Sequence, residues 1–131
     1  LRAPRFIGDM PHAWISSDYI RSALDLFAYE RDSDHALVLA AGIPTAWIES
    51  DTGVGVQGLR TAYGPLSYRL KHERGAWVLS LEPGAAPPGG FVLQWPEGET
   101  PPAEVRIDGR AAQWVDAELA IPANARRVVM Q

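Results

Sequence analysis

From Pro11 to Glu30 the apolar residues Trp14, Ile15, Ile20, Ala23, Leu24 and Phe27 recur at helical spacing, with Asp18, Arg21 and Asp25 between them. The pattern predicts one amphipathic helix of about five turns. Asp9 is placed to cap it, Pro11 suits its first turn, and Arg31-Asp32-Ser33-Asp34 reads as the exit loop. Tyr19 and Tyr29 widen the apolar stripe, which needs a substantial partner: the sheet that follows, or a neighbour.

After His35 the pattern changes to short β-type runs punctuated by Gly and Pro. Strands are predicted over Ala36–Ala40, Gly53–Leu59, Leu66–His72, Trp77–Glu82, Phe91–Trp95, Glu104–Ile107, Glu118–Ile121 and Arg127–Met130. Alternation is clearest in Trp77-Val78-Leu79-Ser80-Leu81, where one face is apolar and the other mixed. Connections are too short for crossover helices, so pairing should be mostly antiparallel. Asp108-Gly109 is a hairpin signal, and Lys71 to Ala76 joins two strands through Gly75. Prolines 83, 87, 88, 96, 101 and 102 mark loops, because proline cannot donate to a central ladder. The expected fold is mainly β: an antiparallel β-sandwich over residues 35–131, preceded by one amphipathic α-helix within residues 1–34.

Length and composition fit one globular domain, with 131 residues, 47% of them hydrophobic and 21% charged. A net charge of −4 with scattered arginines speaks against nucleic acid as a partner. No apolar run approaches the roughly 18 residues that span a bilayer, so no membrane association is expected. The absence of cysteine excludes disulfides and thiolate metal sites. The chain opens on Leu1 rather than Met, which predicts a segment of a longer protein, periplasmic or secreted if a signal peptide lies upstream.

The three histidines, His12, His35 and His72, form no metal-ligand spacing, so neither a metal nor a cofactor is expected. His35 and His72 read as solvated surface residues. Pro11-His12-Ala13-Trp14 places an imidazole and an indole at a helix start, which suits a polar ligand; the alternative is Trp14 as core and His12 as a capping neighbour. No serine elbow is present, and among 16 acidic residues chance proximity of two carboxylates is expected, so no catalytic residue is assigned. Gly53-Val54-Gly55-Val56-Gln57-Gly58 lacks the Lys and Ser/Thr of a phosphate loop and fits a glycine-softened strand or bulge. Of the five tryptophans, Trp77 and Trp95 lie in strands and read as core. Trp47 and Trp114 lie nearer turns; they are candidates for sugar stacking, for covering the core edge or for docking on another domain.

Three phrases, Met10 to Ile20 (MPHAWISSDYI), Leu37 to Pro44 (LVLAAGIP) and Leu59 to Tyr68 (LRTAYGPLSY), resemble the C-terminal end of bacterial glycoside hydrolases with an (α/α)-toroid catalytic domain, nearest to α-L-rhamnosidase-like enzymes. The strand pair around Val105–Arg110 and Leu119–Ala123 extends the resemblance over nearly the whole chain. The resemblance implies that Pro11–Glu30 is the last toroid helix, that the general acid and base lie outside this chain, and that His12 and Trp14 line the sugar pocket of the intact enzyme. The implied role is a non-catalytic accessory domain whose partner is the catalytic domain of the same chain. An independent carbohydrate-binding module is the alternative, and self-association through the helix is a further way to bury its stripe.

Overall fold

The computed structural model describes residues 27–41 and 53–131. These residues form ten strands: β1 (Ala28–Arg31), β2 (Ala36–Leu39), β3 (Val54–Thr61), β4 (Gly64–Glu73), β5 (Ala76–Leu81), β6 (Phe91–Gln94), β7 (Val105–Ile107), β8 (Arg110–Ala112), β9 (Glu118–Ile121) and β10 (Arg127–Met130). No helix occurs among the described residues. The helix expected to reach Glu30 is corrected at its end: Ala28–Glu30 belong to β1, and the rest of that expectation, up to Leu26, lies outside the described residues. Ala28 pairs with Leu39 and Arg31 with Ala36, so a ladder to β2 overrides the helical spacing. β1 and β2 thus lie on either side of the expected boundary at residues 34 and 35, yet are neighbours in one sheet.

The strands form two sheets, one in the order β1-β2-β6-β9 and one in the order β3-β4-β5-β10-β7-β8. Every strand pair is antiparallel except β2 with β6, which run parallel with Leu37 opposite Phe91 and Leu39 opposite Leu93. β2 reads Ala-Leu-Val-Leu and is buried throughout, the continuous apolar run expected of a strand covered on both faces. The two sheets share one core in a sandwich-like arrangement. Leu37, Leu39, Phe91, Leu93, Leu119 and Ile121 enter it from one side, and Leu66, Tyr68, Leu70, Leu79, Leu81, Val105, Val128 and Met130 from the other. Each fully buried Leu among these contributes about 1.5–3 kcal/mol relative to exposure.

Turn chemistry sets several of the joints. Arg74-Gly75 (φ 53° and 78°) and Asp108-Gly109 (φ 49° and 85°) are two-residue connections with both residues left-handed, the geometry that matches the twist of paired strands. β8, which the sequence pattern did not single out, exists as the return arm of the Asp108-Gly109 hairpin. The Asp108 carboxylate also accepts from the amides of Arg126 (3.1 Å) and Arg127 (2.8 Å), linking that hairpin to the start of β10. β3 carries a register shift between Val56 and Leu59, where the Gly58 amide donates to Ser67 Oγ at 2.8 Å. A bulge of this kind twists an edge strand out of reach of further pairing.

Gly89 marks a close approach between two connections. Its amide donates to the His35 carbonyl at 2.9 Å, and a Cβ there would stand 2.0 Å from the Asp34 carbonyl oxygen. Gly89→Ala should therefore cost about 1–3 kcal/mol through forced separation of the two connections. Asp108→Ala should cost about 1 kcal/mol, with Asp108→Asn retaining part of it. Urea unfolding of the three variants beside the parent chain measures both effects.

Candidate functional site

Two features of the described residues bring chemistry-bearing side chains together. The first is a row of aromatic rings. His72, the residue of β4 opposite Trp77 of β5, lies 4.5 Å from the Trp77 ring with 53° between planes. Trp77 meets Trp95 at 5.3 Å and 88°, and Trp95 meets Trp114 at 5.6 Å and 68°. Both tryptophan contacts are edge to face, the arrangement in which the positive rim of one ring meets the negative face of the next. Trp95 is 5% exposed, and its indole N–H has no hydrogen-bond partner. Trp114 is half-buried against the core, and its N–H donates to the Pro102 carbonyl at 2.8 Å. Trp95 belongs to the core, as expected, whereas Trp77 and Trp114 are partly buried and pack against it.

The second feature lies on the outward face of the four-stranded sheet. Arg31, on β1, directs Nε and Nη2 to the two oxygens of Asp34 at 3.1 and 2.7 Å. Its Nη1 donates to Glu118 Oε2, on β9, at 2.9 Å. Since β1 and β9 are the first and last strands of the sheet, this bond spans its face. The hydrogen bonds to Asp34 and then Glu118 hold the guanidinium protonated. The same bond from Arg31 holds the exposed Asp34 carboxyl below its ordinary value of 3.8. A cleft of about 390 Å³ opens beside them, lined among others by Val92, Gln113, Val115, Asp116 and Ala120. Its rim is the tight turn Val115–Glu118, in which Asp116 (φ 51°) and Ala117 (φ 66°) are both left-handed. Val115 is 69% exposed there.

Of the residues proposed from sequence for substrate binding, Trp114 lies in the aromatic row, whereas His12, Trp14 and Trp47 lie outside the described residues. His35, with φ 57°, is exposed, as is His72. The Arg31, Asp34 and Glu118 cluster did not emerge from the sequence. The three-residue spacing of Arg31 and Asp34 was visible, but Glu118 stands 87 positions away and reaches them only through the sheet order. Among the described residues, no three His, Asp or Glu side chains are grouped to hold a metal ion, and no helix is long and apolar enough to cross a membrane.

The sheets are stitched where the Thr61-Ala62-Tyr63-Gly64-Pro65 phrase falls. It forms the β3–β4 turn: Thr61 Oγ1 donates to the Gly64 carbonyl at 2.6 Å and accepts from the Tyr63 amide at 3.1 Å. The Ala62 amide donates to Glu30 Oε2 on β1 at 2.6 Å, and the Tyr63 carbonyl accepts from Ala86 at 3.0 Å. Nearby, the Tyr68 hydroxyl donates to the Phe27 carbonyl at 2.5 Å, an oxygen that also accepts from the Ala40 amide at 2.9 Å. Comparison of the chain with protein-family models, with curated proteins and with solved structures gives no match.

Burial pushes the Tyr68 phenol above its ordinary value of 10.0, with the Ala40 backbone opposing. Below pH 10.0 the phenol is neutral in both folded and unfolded chains. Above it the unfolded chain loses the proton first, so stability falls as pH rises toward the folded value. Urea midpoints at about pH 9 and about pH 11 should show this fall in the parent chain. Tyr68→Phe should flatten it while costing about 1 kcal/mol at neutral pH through the lost bond to Phe27. Arg31→Lys, which replaces a two-pronged donor by a point charge, should cost no more than about 1 kcal/mol, and added salt should shrink that difference.

Proposed function

We propose that this chain is a non-catalytic β-sandwich domain at the C-terminal side of a carbohydrate-active enzyme, a glycoside hydrolase of the bacterial (α/α)-toroid, α-L-rhamnosidase-like kind, and that it supports the catalytic domain. The observation that carries the reading is the edge-to-face use of Trp77, Trp95 and Trp114. A sugar-binding platform needs indole faces open and roughly coplanar, whereas these planes stand 88° and 68° apart and the central ring is 5% exposed. These three indoles pack on one another instead.

The Thr61–Pro65 phrase supports the same reading from another direction. It belongs to the resemblance to toroid glycoside hydrolases, and it is the turn whose Ala62 amide meets Glu30 of the opposite sheet. A support domain needs stiff joints of this sort where the chain enters it. In the parent enzyme His12 and Trp14 would line the rim of the sugar pocket, and the acid and base would come from the toroid.

Isothermal titration of the 131-residue chain with a panel of oligosaccharides tests the reading. No binding is expected, and no turnover of aryl glycosides. Binding at about millimolar strength or tighter would make the chain a carbohydrate-binding module instead. Turnover that disappears in His12→Ala would make it a hydrolase.

A further inference from the structure

The outward side of the six-stranded sheet gathers cations that lie far apart in the chain. Leu70, Leu79, Val105, Val128 and Met130 enter the core, so the residues that alternate with them on β4, β5, β7 and β10 face the other way. Strand register sets these residues in two rows. In one, Arg69 stands opposite Ser80, and Ser80 opposite Arg127. In the next, Lys71 stands opposite Val78, Val78 opposite Val129, and Val129 opposite Arg106. Four cations thus surround a small apolar centre, in which Val78 is 7% exposed and Val129 half-buried. Arg69, Arg106 and Arg127 are exposed, and Lys71 is partly so. Lys71 and Arg106 hold loose ion pairs, at 3.7 Å to Glu73 and 3.6 Å to Glu104, and open pairs of this kind exchange readily for another carboxylate. The chain as a whole carries −4, so this face runs against the balance of the molecule.

We propose that this face docks an acidic surface of a partner protein, whose carboxylates pair with Arg69, Lys71, Arg106 and Arg127 around Val78 and Val129. Three of the four cations are arginines, whose planar fork meets a carboxylate through two parallel hydrogen bonds. An apolar centre inside a charged rim is the anatomy of a protein–protein contact. None of the seven positions in the two rows is aromatic, so the face offers no platform on which bases could stack. A long polyanion or an anionic bilayer would extend past the cations and meet Glu73 and Glu104, the partners of Lys71 and Arg106, whereas a local acidic patch would not. Arg69 and Arg127 lie two strand spacings apart, about 10 Å, so carboxylates at a comparable separation are the complement. The inference rests on register and charge and holds whether or not the parent protein acts on carbohydrate.

Titration of the isotope-labelled full chain with a short oligoglutamate peptide tests it. The expected amide shifts cluster at residues 69–71, 78–80, 106 and 127–129, and they shrink as ionic strength rises through about 0.15 M. Arg127→Glu should weaken binding about three- to tenfold, because an attraction becomes a repulsion. Arg110→Glu makes the same change of charge at an exposed residue that alternates with Ala111, the neighbour of Arg106 across the β7–β8 pair, and should leave affinity within about twofold. Should Arg127→Glu fail to fold, Arg69→Glu takes its place. Equal weakening by Arg110→Glu, or shifts that centre elsewhere, would overturn the proposal. Tighter binding of phosphatidylglycerol vesicles or of a single-stranded oligonucleotide at the same residues would overturn it in favour of a lipid surface or of nucleic acid. No shift with the peptide at low ionic strength would overturn it outright.

Discussion

β2 is buried on both of its faces, and most of the architecture follows from accommodating it. Leu37 and Leu39 project into the core shared with the six-stranded sheet, while Ala36 and Val38 project the other way. A strand of this kind cannot sit at an edge, and it has β1 on one side and β6 on the other. Its pairing with β6 is the parallel one, made after the chain has passed through β3, β4 and β5 in the second sheet. The partnership with β6 is therefore long-range, held by side-chain burial and by bonds such as Leu37 N to the Gly90 carbonyl at 3.1 Å.

Two sheets sharing one core still need lateral registration, and polar contacts supply it where the sheets meet. Glu30 reaches the Ala62 amide, and Tyr68 reaches the Phe27 carbonyl. In both links the six-stranded sheet's side donates and the residues at β1 accept, so sliding one sheet over the other would break both. Tyr68 is buried, which strengthens its bond and makes ionisation of the phenol unfavourable. Arg31 performs a comparable task within one sheet, tying its first strand to its last across the outward face. That network is partly open to solvent, so its stabilising effect is small beside the core, and its geometry matters more than its energy.

The aromatic row accounts for three of the five tryptophans as packing groups. Edge-to-face contacts fill the space between strand ends with large, rigid groups and need no polar ligand to satisfy them. The Trp114 N–H is satisfied by the Pro102 carbonyl, whereas the buried Trp95 N–H has no hydrogen-bond partner.

Several parts of the fold depend only on neighbouring residues and were legible along the chain. Period-two runs such as Trp77–Leu81 became β5, and Asp108-Gly109 became a left-handed two-residue turn, because side-chain alternation and backbone sterics act locally. The glycine-rich stretch at residues 53–58 became a bulged strand for the same reason. Long-range pairing makes Ala28–Arg31 a strand, since a helical spacing of apolar residues yields to hydrogen bonds offered by β2. Long-range contacts likewise make β2 and β6 run parallel, put Trp95 between Trp77 and Trp114, and bring Arg31 to Glu118 across 87 positions. Those outcomes rest on which distant surfaces bury one another, and no local pattern encodes that choice.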